Sequence, residues 1–352
     1  MFESATSAEI REGDFAEAVK ALQAPAAYAH PVDKITAIET HFAWVFLAGE
    51  YAYKLKKPLG TPAVDLRKLD TRRSSCDQEL QLNRRLAPDV YLSVAPLVRT
   101  ADRSLRVDGE GRVVDWLIRM RRLPTHLMLD RAIVARTVST SALRALGVRL
   151  AQFYRAQPRV TFEPQQYTAR IAEQINADRR ALSDPELGLV ERRVQAALTA
   201  GCCAFSSLEN ELAQRAAEDR IVVAHGDLRP EHICLEDPPC VIDALDFSED
   251  LRTLDPAEEL AFLWVECEQA GDVRPARQVL EFYRRESGDP VSDRLLAFYR
   301  SRRALVRAKI VAWHLYDPVV THLAPWRERA DAYIALSERY ARCVCASGPA
   351  SA

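Results

Sequence analysis

Ala224-His225-Gly226-Asp227-Leu228-Arg229-Pro230-Glu231-His232-Ile233 is the most informative stretch of this 352-residue chain. It follows the apolar piece Ile221–Ala224 and runs into another, Ile233–Leu235, so it reads as a polar loop between two short strands. An Asp fixed on such a loop can accept the proton of an attacking hydroxyl. A side chain five positions later can turn back toward the metal that bridges nucleotide phosphates. The plainer alternative is a polar turn in which His225 is a satisfied structural histidine.

Working outward, Val241-Ile242-Asp243 is an apolar strand ending in a carboxylate, 16 residues after Asp227. The segment between contains Glu236-Asp237-Pro238-Pro239 and reads as a hairpin, which would return Asp243 to the loop as a metal ligand. Asp246 competes for that part, and a strand-end turn residue is the plainer reading of Asp243. In Tyr51-Ala52-Tyr53-Lys54-Leu55-Lys56-Lys57-Pro58, period-2 alternation puts Lys54 and Lys56 on one face and Tyr53 and Leu55 on the other. A lysine there supplies a point charge for phosphate oxygens, or else lines a solvated sheet edge. Glu79 falls in the apolar stripe of a helix predicted over 70–86, with Cys76, Leu80, Asn83 and Leu86. A carboxylate there wants a cation, and a lysine on the preceding strand is the natural candidate, unless Glu79 reaches water at the stripe's edge. Asp255-Pro256 reads as an N-cap followed by the first helical residue. Arg300, Arg303 and Arg307 form one stripe of a later helix, which either grips an anionic substrate or pairs with acids on a neighbouring helix.

Composition removes several other classes. Basic and acidic residues number 48 and 50, for a net charge of −2, so no basic field is available for nucleic acid or an anionic membrane. No apolar run approaches the roughly 20 residues of a membrane span. The opening Met1–Ile10 has neither a basic nor an apolar leader region, which points to a cytoplasmic protein. Eight cysteines occur without a CxxC pair, and reduced thiols are the expected state. Only 12 glycines are present and GxxxxGK[ST] is absent, so the chain is no P-loop NTPase. Of seven lysines, Lys54, Lys56 and Lys57 fall within four positions.

Coarse patterning gives an α+β chain. Strands are expected at Ile35–Glu39, Trp44–Leu47, Tyr51–Leu55, Leu92–Val98, Leu105–Val107 and Val113–Met120. Ala48-Gly49-Glu50 and Asp108-Gly109-Glu110-Gly111 read as hairpin turns, and Asp70 or Thr71 as the cap of the 70–86 helix. After Pro124 the pattern is helical: a helix carrying Leu143, Leu146, Leu150 and Phe153, then Ile171–Leu182, Leu187–Ala217, Pro256–Ala270, Arg274–Glu286, Leu295–Leu315 and Ala324–Cys343. Only the short β island at 221–242 interrupts it. The expected architecture is a small β-rich N-terminal lobe with one helix (1–119) and a larger, mainly helical lobe (120–352). A cleft between lobes is a common ligand site.

The order of these parts, strand Lys, helix Glu, connector at Met120–Pro124, loop Asp and second Asp, resembles the aminoglycoside phosphotransferase-like branch of the protein-kinase-like fold over roughly residues 30–320. The resemblance rests on His225–His232, on Val241-Ile242-Asp243 and on Asp255-Pro256-x-x-Glu259-Leu260-Ala261, where the family has Asp-Pro-x-x-Asp-Leu-Ala. Ile38–Leu47, Tyr53–Pro58 and Arg303–Lys309 are similar to an uncharacterised subgroup, some of whose members carry a second, P-loop ATPase domain. This chain ends before any such domain, so a stand-alone module is expected. The resemblance implies a bilobal fold and a kinase that transfers the γ-phosphate of ATP or GTP to an alcohol group of a small molecule. Lys54 would contact phosphates and pair with Glu79, and Asp227 would be the catalytic base. Asp243 would hold Mg²⁺, and Asp255 and Glu259 would support the catalytic loop. Met120 and Arg121, within the connector Arg119–Leu123, would lie near the adenine.

His232 departs from that pattern, since the family usually has Asn there. An imidazole nitrogen is a softer ligand than an amide oxygen, more at home with Mn²⁺ or Zn²⁺ than with Mg²⁺. Either one metal site is altered at His232, or His232 has another role, or turnover is weak or absent. The rival reading is therefore a nucleotide-binding pseudokinase that regulates a protein partner. A purely structural helical protein would require every charged coincidence to be chance.

Overall fold

The structure, a computed structural model, describes residues 12–60, 65–316 and 322–346. The leader reading of Met1–Ile10 lies outside the described residues. In chain order the elements are α1 (Glu12–Leu22), β1 (Ile35–Glu39), β2 (Ala43–Ala48), β3 (Tyr51–Lys56), α2 (Leu69–Arg84), β4 (Tyr91–Arg99), β5 (Leu105–Val107) and β6 (Arg112–Arg121). There follow α3 (Leu129–Ala135), α4 (Thr140–Ala156), α5 (Pro164–Leu182), α6 (Glu191–Ala217), β7 (Val222–Val223), β8 (Ile233–Cys234) and β9 (Cys240–Val241). The chain ends with α7 (Glu249–Arg252), β10 (Thr253–Leu254), α8 (Pro256–Gln269), α9 (Arg274–Ser287), α10 (Asp293–Trp313) and α11 (Ala324–Ala346). It divides into two compact units, one of Met1–Met128 with Cys240–Glu249, the other of Leu129–Pro239 with Asp250–Ala352.

The first unit is built on one antiparallel sheet of order β1-β2-β3-β6-β4-β5. Alternation along the strands sends Phe46, Tyr53, Leu55, Leu97 and Leu117 into a core closed by Ala18 and Leu22 of α1. α2 packs on β4 and β6. It carries Arg72, Cys76, Glu79 and Asn83 buried, so three of its inward positions are polar and must find partners, Arg72 meeting Asp115 at 2.7 Å.

Two local expectations are overturned here. Residues 108–111 do not close a hairpin. β5 pairs with β4, and β6 pairs with the other edge of β4, so the turn carries the chain across that strand. Gly111 sits at φ +152°, and a Cβ there would lie 2.2 Å from the Arg99 carbonyl oxygen, a close approach that only glycine permits. Neither Asp70 nor Thr71 caps α2. The N-cap is Lys68, and Asp70 lies inside the first turn, where its charge complements the positive helix end.

The second unit is helical. α4 packs on α9, α6 on α5 and α11, and α10 on α8 and α11. One core joins Val194 and Leu198 of α6, Val265 of α8, Leu305 and Val311 of α10, and Tyr333 and Ile334 of α11. β7 and β10 form a two-residue antiparallel ladder that fixes the entry to the 224–232 loop. The helix expected from Leu187 starts later: Pro185–Leu187 is a 3₁₀ turn, Gly188 at φ +60° ends it, and α6 begins at Glu191. Asp255 caps α8 as expected, accepting from the Ala257 N–H at 2.9 Å, with Pro256 first in the helix.

Candidate active site

In the first unit, β3 and α2 aim their polar inward residues at the 243–246 segment. Lys54 Nζ donates to Glu79 Oε1 at 2.8 Å and to Asp243 Oδ1 at 2.6 Å. The other oxygen of Glu79 lies 2.9 Å from Lys56 Nζ, and Lys56 in turn holds Asp246 and donates to Ser75 Oγ at 2.7 Å. One buried carboxylate thus spreads two lysines, and each lysine holds one acid of the 243–246 turn. Burial works against the Lys54 ammonium, but Asp243 and Glu79 outweigh it and hold its pKa well above the usual lysine value.

The backbone of that turn is held as well. Asp243 sits at φ +61°, its N–H donating to Tyr91 Oη at 3.1 Å, and the Ala244 N–H donates to Asn83 Oδ1 at 2.9 Å. A non-glycine residue in the left-handed region is held there by such partners. The two acids differ in access. The Asp243 side chain is 45% exposed, whereas that of Asp246 is 20% exposed and tied to a lysine that is 6% exposed. Of the two competitors, Asp243 is the carboxylate open to a ligand.

In the second unit, the 224–232 loop is held from beneath by α8. Glu259, fully buried, accepts from the Gly226 N–H, from the His225 N–H at 3.2 Å and from Tyr154 Oη at 2.7 Å. Burial raises the Glu259 pKa, opposed by these donors. Beneath the same helix end, Arg215 makes two 2.7 Å bonds to Asp255 and also bonds Asp289 Oδ1 at 2.5 Å. His232 Nδ1 lies 2.9 Å from the Asp227 carbonyl oxygen, so the imidazole closes the loop onto its own start. Arg229 stands 3.5 Å from Asp227 Oδ2, 2.6 Å from Glu231 and 3.4 Å from His232 Nε2. The Asp227 side chain remains 27% exposed, able to meet a hydroxyl.

Met120 and Arg121 are the last residues of β6 rather than part of a connector. Met120 is registered against Ala52 and Arg121 against Tyr51. The arginine stripe of α10 pairs with acids of α8: Arg303 with Glu258 at 3.1 Å and Arg307 with Glu266 at 3.0 Å, while Arg300 stacks 3.5 Å over Trp264. Sequence reading missed Lys56 as a holder of Asp246, Asn83 and Tyr91 as backbone clamps, and Arg229 beside Asp227. Asn83 carried a signal, an amide within an apolar stripe four residues after Glu79. Tyr91, 152 residues from its partner, carried none.

The model of the phosphotransferase enzyme family APH matches residues 66–306 of this sequence. Uncharacterised proteins of Mycobacterium tuberculosis and Mycobacterium bovis are 34% identical over 291 residues, covering 80% of this chain and 56% of theirs. The chain thus spans about half the length of the curated relatives it matches. A choline/ethanolamine kinase family protein from Mesorhizobium loti superposes with a TM-score of 0.57 at 18% identity, over 95% of this chain and 99% of that one. The aminoglycoside 2'-phosphotransferase-IIIa, in its GDP complex, gives 0.50 at 14%, over 88% and 94%. These likenesses show the fold, a kinase-like pairing of a curled antiparallel sheet with a helical part.

Proposed function

Because the chain belongs to the phosphotransferase enzyme family, we propose that it transfers the γ-phosphate of ATP or GTP to a hydroxyl of a small molecule. The observation that carries this reading is Lys54 Nζ held between Glu79 at 2.8 Å and Asp243 at 2.6 Å. A largely buried ammonium, its charge favoured by two acids, beside an accessible carboxylate suits a phosphate and its cation together. Lys54 binds phosphate oxygens, and Glu79 keeps the ammonium aimed. Asp227 accepts the proton of the acceptor hydroxyl as its oxygen bonds the γ-phosphorus and the bond to the β-phosphate oxygen breaks. Met120 and Arg121 flank the nucleobase. The GDP bound by a structural neighbour supports keeping GTP beside ATP as donor.

Asp243 offers hard carboxylate oxygens and is nearly half exposed, which fits Mg²⁺ or Mn²⁺. A divalent cation supplies charge neutralisation of the phosphates when bound. His232 fits less well. One ring nitrogen engages the Asp227 carbonyl and the other faces the Arg229 guanidinium, so a cation there meets a like charge. We assign the metal to Asp243 and give His232 the task of closing the loop that presents Asp227.

The test is a transfer screen with labelled ATP and GTP over sugars, amino alcohols and nucleosides, paired with thermal shift by nucleotide and Mg²⁺ or Mn²⁺. Metal-dependent transfer that disappears in Asp227→Asn supports the enzyme. Nucleotide binding with neither transfer nor hydrolysis supports the second reading, a regulatory nucleotide-binding module, which His232 in place of Asn favours. Absence of both binding and turnover overturns both readings.

A further inference from the structure

Four of the eight cysteines lie on two packed helices, outside the loops described above: Cys202 and Cys203 on α6, Cys343 and Cys345 on α11. All are thiols. Cys203 and Cys345 are exposed, and their Sγ atoms lie 2.9 Å apart. That is inside ordinary non-bonded sulfur contact and about 0.9 Å beyond a disulfide bond. The neighbouring cysteines are turned elsewhere. Cys202 Sγ accepts from Arg179 Nη2 at 2.9 Å. Cys343 is two residues from Cys345, a spacing that does not share a helix face. A cavity of about 530 Å³ opens where the helices meet, lined by Arg192, Gln195, Thr199, Cys203, Arg342 and Cys345. Two thiols and two guanidinium groups therefore share one solvent-open wall.

We propose that Cys203 and Cys345 are a covalent modification site, forming a reversible intrachain disulfide by exchange with a small anionic disulfide such as oxidised glutathione. Cys203 loses its proton and its thiolate attacks one sulfur of the small disulfide. The S–S bond breaks, and the first glutathione leaves as thiolate and takes up a proton. Cys345 then loses its proton and attacks Cys203 Sγ, releasing the second glutathione as thiol. Two protein thiols are oxidised and one disulfide is reduced to two thiols, so the balance closes. Burial and the nearby Cys203 push the Cys345 thiol up to about 11, which suits a resolving partner that waits protonated. Arg192 and Arg342 line the same cavity and attract the carboxylates of the tripeptide.

The experiment uses the full chain, reduced, freed of reductant and exposed to oxidised glutathione, and reads intact mass and a non-reducing peptide map. Wild type and the Cys202→Ser/Cys343→Ser double variant are expected to lose two hydrogens without retaining an adduct. Cys345→Ser is expected to stop at one glutathione on Cys203, and Cys203→Ser to form no link. The oxidised wild type should melt at a higher temperature than the reduced form, since the bond closes a span of 142 residues. Retention of the link in Cys203→Ser or Cys345→Ser, its loss in the double variant, or a link only between chains would overturn the proposal.

Discussion

At the residue scale the decisive feature is the sharing of Glu79 by Lys54 and Lys56. Lys54 faces an accessible acid and Lys56 a sequestered one, so their replacement separates by readout. On the proposed reading, Lys54→Met removes a charge-assisted bond to phosphate worth roughly 2 kcal/mol. Nucleotide affinity measured by calorimetry should then fall on the order of 30-fold. Lys56→Met leaves Asp246 and one oxygen of Glu79 without their buried cation. It should lower the urea midpoint, with a loss of about 3 kcal/mol, before it touches nucleotide affinity. Asp227→Asn keeps shape and binding but removes the carboxylate proposed as proton acceptor. It should cut turnover by roughly 10²–10⁴-fold with nucleotide affinity unchanged. Equal losses of affinity in Lys54→Met and Asp227→Asn would contradict these separate roles.

At the element scale, α8 is the piece on which the 224–232 loop rests. Its N-cap Asp255 and the nearby Asp289 share Arg215 in a buried cluster. Burial tends to raise the Asp289 pKa, but the Arg215 hydrogen bonds and charge outweigh it, and the net shift is downward. The sign follows from linkage. A depressed native pKa means stability that is present above the ordinary aspartate value and lost as pH falls through the native one. Acid unfolding should therefore show a steep limb below about pH 4 that flattens in Asp289→Asn. An unchanged limb would remove the cluster from the acid response. Gly111→Ala, forced against the Arg99 carbonyl at the crossing between β5 and β6, should cost at least about 1 kcal/mol by thermal denaturation. The elements themselves were readable where the pattern is clear, as in β1 to β3 and in α4, α8, α9, α10 and α11, whereas α5 starts seven residues before the expected Ile171 and the four-residue α7 gave no signal. Pairing was not. Asp108–Gly111 has the composition of a hairpin turn, and only the free edge of β4, a non-local fact, sends β6 to the far side.

At the scale of the whole molecule, Lys54, Glu79 and Asp243, which the structure joins by hydrogen bonds, were legible because each lies in a local context that demands a reason: a lysine alternating with core residues, an acid in an apolar stripe, an acid ending an apolar strand. What fixes Asp243 was hidden, because Tyr91 and Asn83 meet it only through folding across more than 150 residues. Weighing metal ligand against loop brace at His232 likewise draws on the position of the Arg229 guanidinium, which local sequence does not give. The claim on which the rest depends is phosphoryl transfer by this chain, and the most direct measurement is label transfer from γ-labelled ATP and GTP to a hydroxyl-compound library. Wild type should label at least one acceptor in the presence of Mg²⁺ or Mn²⁺, with Asp227→Asn reduced by roughly 10²-fold or more while still binding nucleotide. Full labelling by Asp227→Asn, or labelling that needs neither Lys54 nor a divalent cation, would contradict it.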